Sequence, residues 1–566
     1  MSGAALVAVM DKCRARFDAA RWQALRADLA LLDARLEHSS DWQRMLADLG
    51  NNSPPGWNVF AGALARHLPV SHALLDYWPW VDQALLLLLV PYVVWRVFGA
   101  PAALAYGLLF CSNPLAPLGW TGGSFCRADW YVALVLGLAA LHSRRVGLAG
   151  GLLAVAATLR VFPALFALAA CAAALLAGQW RDARRFALVG LAIAALCAAL
   201  ATLAYGVDRW REFAAVMHLR ISPYGMNTIG LTKLAASWNV MDWPHFAGGP
   251  EALATATQWV ETQRGDEAAR RGVTLVIGLA LGGAAALGLA RLSLVAGTVL
   301  GGCTFMFLLL TPCSYYHVVL ACLPLAAATP AGAAGAALLA VSALAVLALR
   351  VESVPFASAF GRELVFGMVS FRASAILLAS LVALWTVVAV VRLRAAATTG
   401  EQRVAGAMLL GVALSAALGL AGYQAAPSAP AYFVSLAGLG AARADAGVTL
   451  THRTATASWP GADFYELEFA AGARRFVSTL AGLPAGRYRA AVIATRAPGY
   501  GSVSFNIARK QAEFDGRSGT VGAAPVQLEL GTVTLGATSE FRIDAPVGRT
   551  TRIGVSGLVL EPLTAP

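Results

Sequence analysis

Apolar segments alternate with polar connections from residue 79 to residue 424. Most are close to the roughly 20 residues that a helix needs to cross a bilayer. We therefore expect a polytopic α-helical membrane domain of about twelve helices, at 79–98, 101–120, 128–142, 146–160, 162–178, 186–206, 273–290, 292–311, 316–329, 331–350, 373–392 and 404–424. Segments near Arg160 and Pro312 are too short for simple spans, and broken helices that line a cavity are expected there.

The short connections between these segments carry many of the arginines. Those at 142–145, 180–185 and 392–394 are separated by even numbers of predicted spans, so they share one face of the membrane. The positive-inside rule makes that face cytoplasmic. The longer polar stretches then lie on the outer face, at 1–78, 207–272, 351–372 and after 425.

Residues 1–78 form a segment of their own before the first predicted span. Leu25, Leu29 and Leu32 recur at helical spacing among charged residues, which predicts a soluble amphipathic helix. No signal peptide precedes this segment. Either it is cytoplasmic and one predicted span is false, or the chain continues upstream with another transmembrane helix and 1–78 is the remainder of a first outer loop.

The composition agrees with a membrane protein. Hydrophobic residues make up 58% of the chain and charged residues only 13%, and the net charge of +12 comes mainly from arginine. The basic residues are spread among the membrane connections and form no compact aromatic-basic patch, which excludes nucleic acid as a partner. The eight cysteines show no CxxC or His/Cys spacing typical of a metal site, so we expect no metal.

After Pro427 the pattern changes to an alternation with a period of two. Residues 464–469, 488–493 and 503–507 show it clearly, and the turn sequences LPAG and PGYG separate such runs. About eight runs in roughly 130 residues predict an all-β sandwich domain over 428–566.

Ionisable residues of the membrane domain gather at the predicted outer ends of helices. A charge at the bilayer centre costs about 2.5–3.5 kcal/mol on insertion scales, so such residues are candidates for function. The candidates are Asp82, Arg127, Asp129, Arg160 and His317.

Each candidate also has a purely structural interpretation. Arg160 stands beside the helix-breaking Pro163, where a snorkelling arginine would end a helix equally well. His317 follows two tyrosines that fit an interfacial aromatic belt. Asp129 could simply begin a helix, with Arg127 as an ion partner.

At these residues the sequence resembles a known family. The LRVFPAL stretch at 159–165 is similar to the basic-x-x-Pro helix junction of the GT-C fold glycosyltransferases, in particular the bacterial polyprenyl-phosphate-mannose-type branch. The SPYGMNT stretch at 222–228 resembles an Asn-containing part of that branch's large outer loop. The TPCSYYH stretch at 311–317 is similar to its Ser-Pro…His segment. The resemblance covers roughly residues 50–424 in order and spacing.

The resemblance implies an integral membrane glycosyltransferase of the bacterial inner membrane. Such an enzyme takes a sugar from a polyprenyl phosphate and transfers it on the outer face, usually with inversion, to an envelope glycan or lipid acceptor. Its partners are membrane lipids, the lipid-linked sugar and the acceptor, with no further cofactor. Cations at interface depth would bind the departing phosphate, and Arg127, Arg160, Arg220, Lys233 and His317 are placed to supply them. Asn227 and Tyr316 are candidates for binding the sugar or the acceptor.

The general base is the least determined part of this site. In the family a catalytic aspartate usually lies in the first outer loop, just after the first transmembrane helix. This sequence has no such helix before residue 79. Asp129 and, after it, Asp82 are the substitutes that we expect to activate the acceptor hydroxyl.

The C-terminal segment resembles a galactose-binding-like jelly roll, as in carbohydrate-binding modules. The runs GRYR at 486–489, GYGSV at 499–503 and IGVSGL at 553–558 follow the order of that fold. It would lie in the periplasm or outside the cell. Exposed Trp459, Tyr465 or Tyr500 could stack on a sugar ring, although each could equally be a core or corner aromatic.

Two other functions remain open. A polytopic transporter would place polar groups near the midplane of broken helices and often contains inverted repeats, neither of which the sequence displays clearly. A non-catalytic membrane scaffold with a glycan-binding domain would have the same sandwich without a working site.

Overall fold

The computed structural model describes most of the chain. The described residues are 14–15, 17–33, 53–68, 71–116, 127–220, 228–236, 250–328, 333–359, 361–424, 432–435, 442–453, 464–480, 485–518, 525–536 and 539–563. They form a helical region followed by a β region, which confirms the predicted order of an α-helical and an all-β part.

Among the described residues, the first half of the helical region contains nine helices. They are α1 Ala19–Asp33, α2 Pro55–His67, α3 His72–Ala84, α4 Val90–Phe98, α5 Ala100–Ser112, α6 Asp129–His142, α7 Val146–Leu159, α8 Ala164–Leu176 and α9 Trp180–Tyr205. A π-helical turn, Leu85–Leu89, joins α3 to α4.

The second half continues from residue 208 to the end of the predicted membrane domain. Its helices are α10 Asp208–Arg220, α11 Leu231–Ala236, α12 Pro250–Leu289, α13 Leu294–Leu309, α14 Leu323–Ala327, α15 Ala333–Ala359, α16 Gly361–Ala395 and α17 Thr399–Gln424. A 3₁₀ helix, Ser314–Cys322, precedes α14.

Five helical segments among the described residues are long and apolar enough to cross a membrane. They are His72–Phe98, Trp180–Tyr205, Glu267–Leu289, Ala373–Ala395 and Thr399–Ala421. Seven shorter apolar helices of 10–17 residues lie between them. These twelve elements follow the predicted apolar segments in order, but only five of them have the length of a complete span.

Two of the predicted polar loops contain helix. The stretch 207–272 includes α10 and the first turns of α12, and 351–372 is helical on both sides of residue 360. The helical parts of 207–272 are rich in Ala, Glu and Arg, whose helix propensity is high, whereas 351–372 belongs to the helices Ala333–Ala359 and Gly361–Ala395. The polarity that ends an apolar run therefore does not end the helix.

The surface of the first span carries aromatic side chains near both of its ends. Tyr77 and Trp80 are 72% and 62% exposed toward the start, and Tyr92 and Trp95 are 55% and 51% exposed toward the end. Leu88, between them, is 70% exposed. Exposed leucine between two aromatic belts is the pattern of a helix surface that faces lipid.

Helices α8 and α13 pack closely through small residues. A Cβ on Gly297 would come within 2.8 Å of Ala173, and one on Gly301 within 2.9 Å of Ala169. Because the residue numbers rise along one helix as they fall along the other, the two helices are antiparallel. Such small-residue contacts are common between membrane helices. The end of α8 therefore lies beside the start of α13.

The arginine-bearing connections lie on one side of the helical region. A Cβ on Gly147, just after Arg144 and Arg145, would lie 3.2 Å from Arg185 Nε. Arg291, just before α13, forms an ion pair with Glu401 at 2.5 Å. Helices α8 and α13 are antiparallel neighbours. These contacts therefore place the arginine-bearing ends of α6, α7, α8 and α9 on the same side of the helical region as those of α12, α13, α16 and α17.

The β region contains eleven strands among the described residues. They are β1 Tyr432–Ser435, β2 Ala442–Ala444, β3 Val448–Arg453, β4 Phe464–Phe469, β5 Arg475–Thr479, β6 Gly486–Thr495, β7 Ser502–Ile507, β8 Lys510–Asp515, β9 Pro525–Leu535, β10 Glu540–Asp544 and β11 Thr551–Pro562. The three strands expected from the alternating pattern are therefore present.

The strands form two antiparallel sheets. One has the order β3-β4-β11-β6-β9, with β1 also paired to β11, and the other the order β2-β5-β10-β7-β8. Alternating residues such as Leu467, Phe505, Phe541 and Val555 are fully buried between them. A sandwich of this kind is what the period of two predicts, because every second side chain points to the same face.

Candidate functional site

Helix ends gather on the side of the helical region opposite the arginine-bearing connections. Helix α6 begins there, α7 ends there and α8 begins again after a break at 160–163. Pro163 forces this break because a proline cannot donate the next helical hydrogen bond and disfavours helical geometry in the residue before it. Arg160, the residue after α7, is accordingly extended, with φ −147° and ψ 140°.

Arg160 contacts the N-terminal segment of the chain. Its Nη1 donates to Ser53 Oγ at 3.0 Å and to the Leu159 carbonyl at 3.1 Å. Its guanidinium carbon lies 5.8 Å from the ring centre of Trp57, within cation–π range. The buried Nε has no hydrogen-bond partner. A planar cation with an unused donor is suited to an anionic ligand.

Helix α2 is fixed in place by close backbone contacts. A Cβ on Gly56 would lie 2.8 Å from the Thr158 carbonyl, so only glycine allows this approach to the end of α7. Tyr205, at the end of α9, donates its hydroxyl to the Asn58 carbonyl at 2.7 Å. Residues 53–67 therefore lie on the same side of the helical region as Arg160.

Asp129 begins helix α6 and keeps half of its carboxylate unused. Oδ1 accepts a hydrogen bond from the Trp130 backbone N–H at 2.8 Å. Oδ2 is buried and has no partner. The carboxylate also interacts electrostatically with Arg160 and with Asp82. A partly buried carboxylate with one free oxygen has what a general base needs.

Asp82 has a different environment. It is 2% exposed, and its Oδ2 accepts from the backbone N–H groups of Arg127 at 2.7 Å and of Ala128 at 3.2 Å. These are donors ahead of the first turn of α6, which a carboxylate satisfies well. The π-helical turn that follows α3 is a feature often found near functional sites. Asp82 thus holds the segment that carries Asp129.

An aromatic wall stands beside these charges. The Trp130 ring lies 4.7 Å from Phe162, and Tyr316 lies 4.6 Å from Phe162 and 5.9 Å from Trp130. The guanidinium of Arg127 stacks 4.8 Å from the Tyr315 ring centre. A cavity of about 10 Å³ beside Arg127, Trp130, Tyr315 and Tyr316 has room for about one water molecule.

His317 is buried in the 3₁₀ helix, with 1% of its surface exposed. Its Nδ1 lies 3.2 Å from the Ser314 carbonyl, and its Nε2 is buried without a partner. Since a carbonyl only accepts, Nδ1 carries the hydrogen and Nε2 has a free lone pair in the neutral ring. His317 makes no hydrogen bond or ion pair to Asp129 or Arg160 among the described residues.

Asn113 positions the backbone of His317. Its Nδ2 donates to the His317 carbonyl at 3.0 Å, and its Oδ1 accepts from the Leu115 N–H at 3.1 Å. The side chain is 4% exposed. Asn113 therefore connects the end of α5 to the 3₁₀ helix across 204 positions of the sequence.

Lys233 lies on α11, the short helix before α12. It is 1% exposed within α11, which packs against α12 and α16. The segment before α11 pairs with the 311–317 stretch, because Thr228 forms a β-bridge with Cys313 and Ile229 donates to the Pro312 carbonyl at 3.0 Å. Thr228, the described end of the 222–228 motif, is therefore adjacent to the 311–317 motif.

Other expected site residues are not placed. Asn227 and Trp459 lie outside the described residues, as does the side chain of Arg220 at the end of α10. Tyr500 is placed, and of its two interpretations it is the core aromatic: it is 5% exposed and donates its hydroxyl to Glu466 at 2.9 Å. Its turn folds inward because the hydroxyl satisfies a buried carboxylate. Tyr465 is half-buried.

Sequence reasoning missed Ser53, Trp57 and Asn113. Ser53 lies in the Gly/Asn/Pro-rich run 50–56, and Trp57 follows it; such a run is typical of a turn. Asn113 precedes a proline, which is typical of a turn. None of the three carries a local signal that points to Arg160 or His317.

No family model matches this sequence, and no curated protein matches it.

Proposed function

We propose that the protein is an integral membrane glycosyltransferase that moves a sugar from a polyprenyl-phosphate donor to an envelope glycan or lipid acceptor. The observation that carries the proposal is the proximity of Asp129, at the start of α6, to Arg160, at the break between α7 and α8. One has a buried carboxylate oxygen without a partner, and the other a buried N–H without a partner. The two side chains also interact electrostatically.

The proposed reaction assigns a role to each of these groups. Asp129 Oδ2 takes the proton of the acceptor hydroxyl as its oxygen attacks the anomeric carbon. The bond between that carbon and the phosphate oxygen breaks, and the phosphate leaves with the electron pair. Arg160 stabilises the negative charge that grows on the leaving phosphate.

Arg127 and His317 are proposed as secondary phosphate contacts. Arg127 is held over Tyr315 on the segment that leads into Asp129. His317 would bind an anion only after its Nε2 is protonated, because a neutral ring with hydrogen on Nδ1 offers a lone pair there. In the neutral form it would accept a hydrogen bond from a sugar hydroxyl instead.

The proposed location is the outer face of a bacterial inner membrane. The site lies opposite the arginine-bearing connections, and the positive-inside rule makes the latter cytoplasmic. The β-sandwich is then periplasmic or extracellular. We propose that it binds the envelope glycan.

A transfer assay tests the proposal. The full chain is reconstituted in liposomes with a radiolabelled polyprenyl-phosphate sugar and an envelope extract, and label is followed into the acceptor fraction. Transfer that needs the protein and is lost in Asp129→Asn supports the proposal. An equal rate for Asp129→Asn and the unmodified protein contradicts it.

A further inference from the structure

A groove of about 440 Å³ opens between α11, α12 and α13, apart from the cluster around Arg160. This volume is within the range of ligand pockets, about 300–1,000 Å³. Most of the lining is apolar, including Leu231, Leu275, Leu279, Phe305 and Leu308. Leu275 and Leu279 are 59% and 67% exposed, on a helix that is long and apolar enough to cross a membrane. The groove is therefore open toward lipid.

Two glycines on α12 create the space. Gly278 and Gly282 lie one turn apart, and a Cβ on either would meet its nearest neighbour only at ordinary contact distance, 3.6 Å from Leu231 and 3.5 Å from Leu308. Their lack of side chains therefore leaves a furrow along the helix rather than permitting close packing.

The groove has one polar end. Glu267, Arg271 and Thr274 line it at the start of the candidate span Glu267–Leu289. Arg271 has no ion-pair partner within the part of the chain that the structure describes. The other end of this span leads to Arg291, on the side of the arginine-bearing connections. The polar end therefore lies on the same side of the helical region as Arg160.

The length of the groove along α12 matches the thickness of one leaflet of the bilayer. From Arg271 to Gly282 the helix rises about 16 Å, at 1.5 Å per residue. A bilayer core is about 30 Å thick, so half of it is close to the same length. A lipid with its headgroup at Arg271 would place a chain along the glycine furrow.

We infer that this groove binds one phospholipid of the phosphatidylethanolamine type, with its phosphate on Arg271, its ammonium on Glu267 and an acyl chain over Gly278 and Gly282. Charge complementarity selects this headgroup. Glu267 and Arg271 are one helical turn apart, and an ethanolamine headgroup carries its opposite charges only two carbons apart. Glu267 repels a purely anionic headgroup, and a choline headgroup has no N–H to donate to it. The inference goes beyond the proposed transferase and does not depend on it.

Native mass spectrometry of the full-length protein tests this site. Delipidated protein is titrated separately with three dioleoyl lipids that differ only in headgroup: phosphatidylethanolamine, phosphatidylglycerol and phosphatidylcholine. We expect one saturable site that favours phosphatidylethanolamine. In Arg271→Gln this affinity should fall about tenfold, as expected for the loss of one charge-assisted contact. Glu267→Gln should reduce the preference over phosphatidylcholine.

Leucine substitutions on α12 provide a matched test, because some fill the glycine furrow and one does not. Gly278→Leu combined with Gly282→Leu should abolish the saturable site. Gly283→Leu, at a position where a Cβ meets nothing within 4 Å, should leave it intact. If the double variant does not elute as a single monodisperse species, Arg271→Gln tests the inference instead, because Arg271 lies on an exposed turn of α12. Equal binding by the double variant and Gly283→Leu would overturn the inference. So would a preference for phosphatidylglycerol, or displacement of the bound lipid by an equimolar polyprenyl phosphate.

Discussion

Ser53 Oγ accepts a hydrogen bond from Arg160 Nη1 at 3.0 Å, across 107 positions of the sequence. The contact brings the segment before the first span onto the broken helix that carries the main candidate cation. Trp57 faces the same guanidinium. Arg160 is therefore held by two residues of the N-terminal segment, and its position depends on that segment.

Replacing Arg160 tests whether this residue binds the donor phosphate or only ends helix α7. In Arg160→Ala the loss of the contact to the departing phosphate should lower the transfer rate about a hundredfold, or roughly 3 kcal/mol, while insertion stays normal. Arg160→Lys should recover part of the rate because it keeps the charge without the planar fork. The matched control is Arg211→Ala, whose side chain is 77% exposed on α10. Full activity in Arg160→Ala would leave Arg160 a structural residue.

The two aspartates should respond differently. Asp129→Asn should abolish transfer without lowering the melting temperature, because its Oδ2 has no partner to lose. Asp82→Ala should lower the melting temperature, because it leaves one buried and one partly buried backbone N–H without an acceptor, at a cost of up to about 1–3 kcal/mol each. Thermal melts in detergent and the transfer assay measure the two effects. Unchanged stability of Asp82→Ala would refute its role in holding the start of α6.

Asn113 should act through His317. Asn113→Asp replaces the donor with an oxygen that faces the His317 carbonyl, so it should destabilise the protein more than Asn113→Ala does. The loss in Asn113→Ala should be about 1–3 kcal/mol, since a buried carbonyl loses its donor. Chemical denaturation in detergent ranks the two variants. The reverse order, with Asn113→Asp more stable than Asn113→Ala, would mean that the amide does not act as a donor.

Thiol labelling should establish which side of the membrane each face of the protein occupies. Single cysteines are introduced at Ser143, Asp208 and Gln511 in a background without the eight native cysteines. On intact spheroplasts an impermeant reagent should label the positions on α10 and in the sandwich. The position at Ser143, beside Arg144, should react only after lysis. Labelling at Ser143 from outside would reverse the orientation and remove the outer-face enzyme with it.

The sandwich should fold without the helical region. Residues 430–566 should express as a soluble β-rich monomer with a cooperative melt, because roughly 130 residues suffice for one core. Tyr500→Phe should destabilise it by about 1–3 kcal/mol, since it removes the hydroxyl that satisfies buried Glu466. An insoluble or non-cooperative fragment would contradict an independent core.

Glycan binding by that fragment is tested by retardation in gels that contain envelope polysaccharide. We expect retardation by the unmodified fragment, and weaker retardation at an unchanged melting temperature in Trp459→Ala. Tyr465→Ala, which removes another candidate sugar-stacking aromatic, is measured in the same gels for comparison. Absence of retardation with every envelope glycan would leave the sandwich as a structural domain.

The sequence by itself determined the order of the parts and many of their elements. Apolar length predicts helices and a period of two predicts strands, and both signals are local because burial of one face repeats along each element. It also located the break at Pro163 and the candidates Asp129, Arg160 and His317, since a charge in an apolar run is costly wherever the run folds.

Only the tertiary structure decided which of these residues meet. The approach of Ser53 and Trp57 to Arg160 depends on the packing of α2 against the end of α7, and the contact of Asn113 with His317 on the packing of α5 against the 3₁₀ helix. It likewise separated the unpartnered oxygen of Asp129 from the structural carboxylate of Asp82, and it buried Tyr500 against Glu466. Such contacts join positions tens to hundreds of residues apart, so no local pattern encodes them.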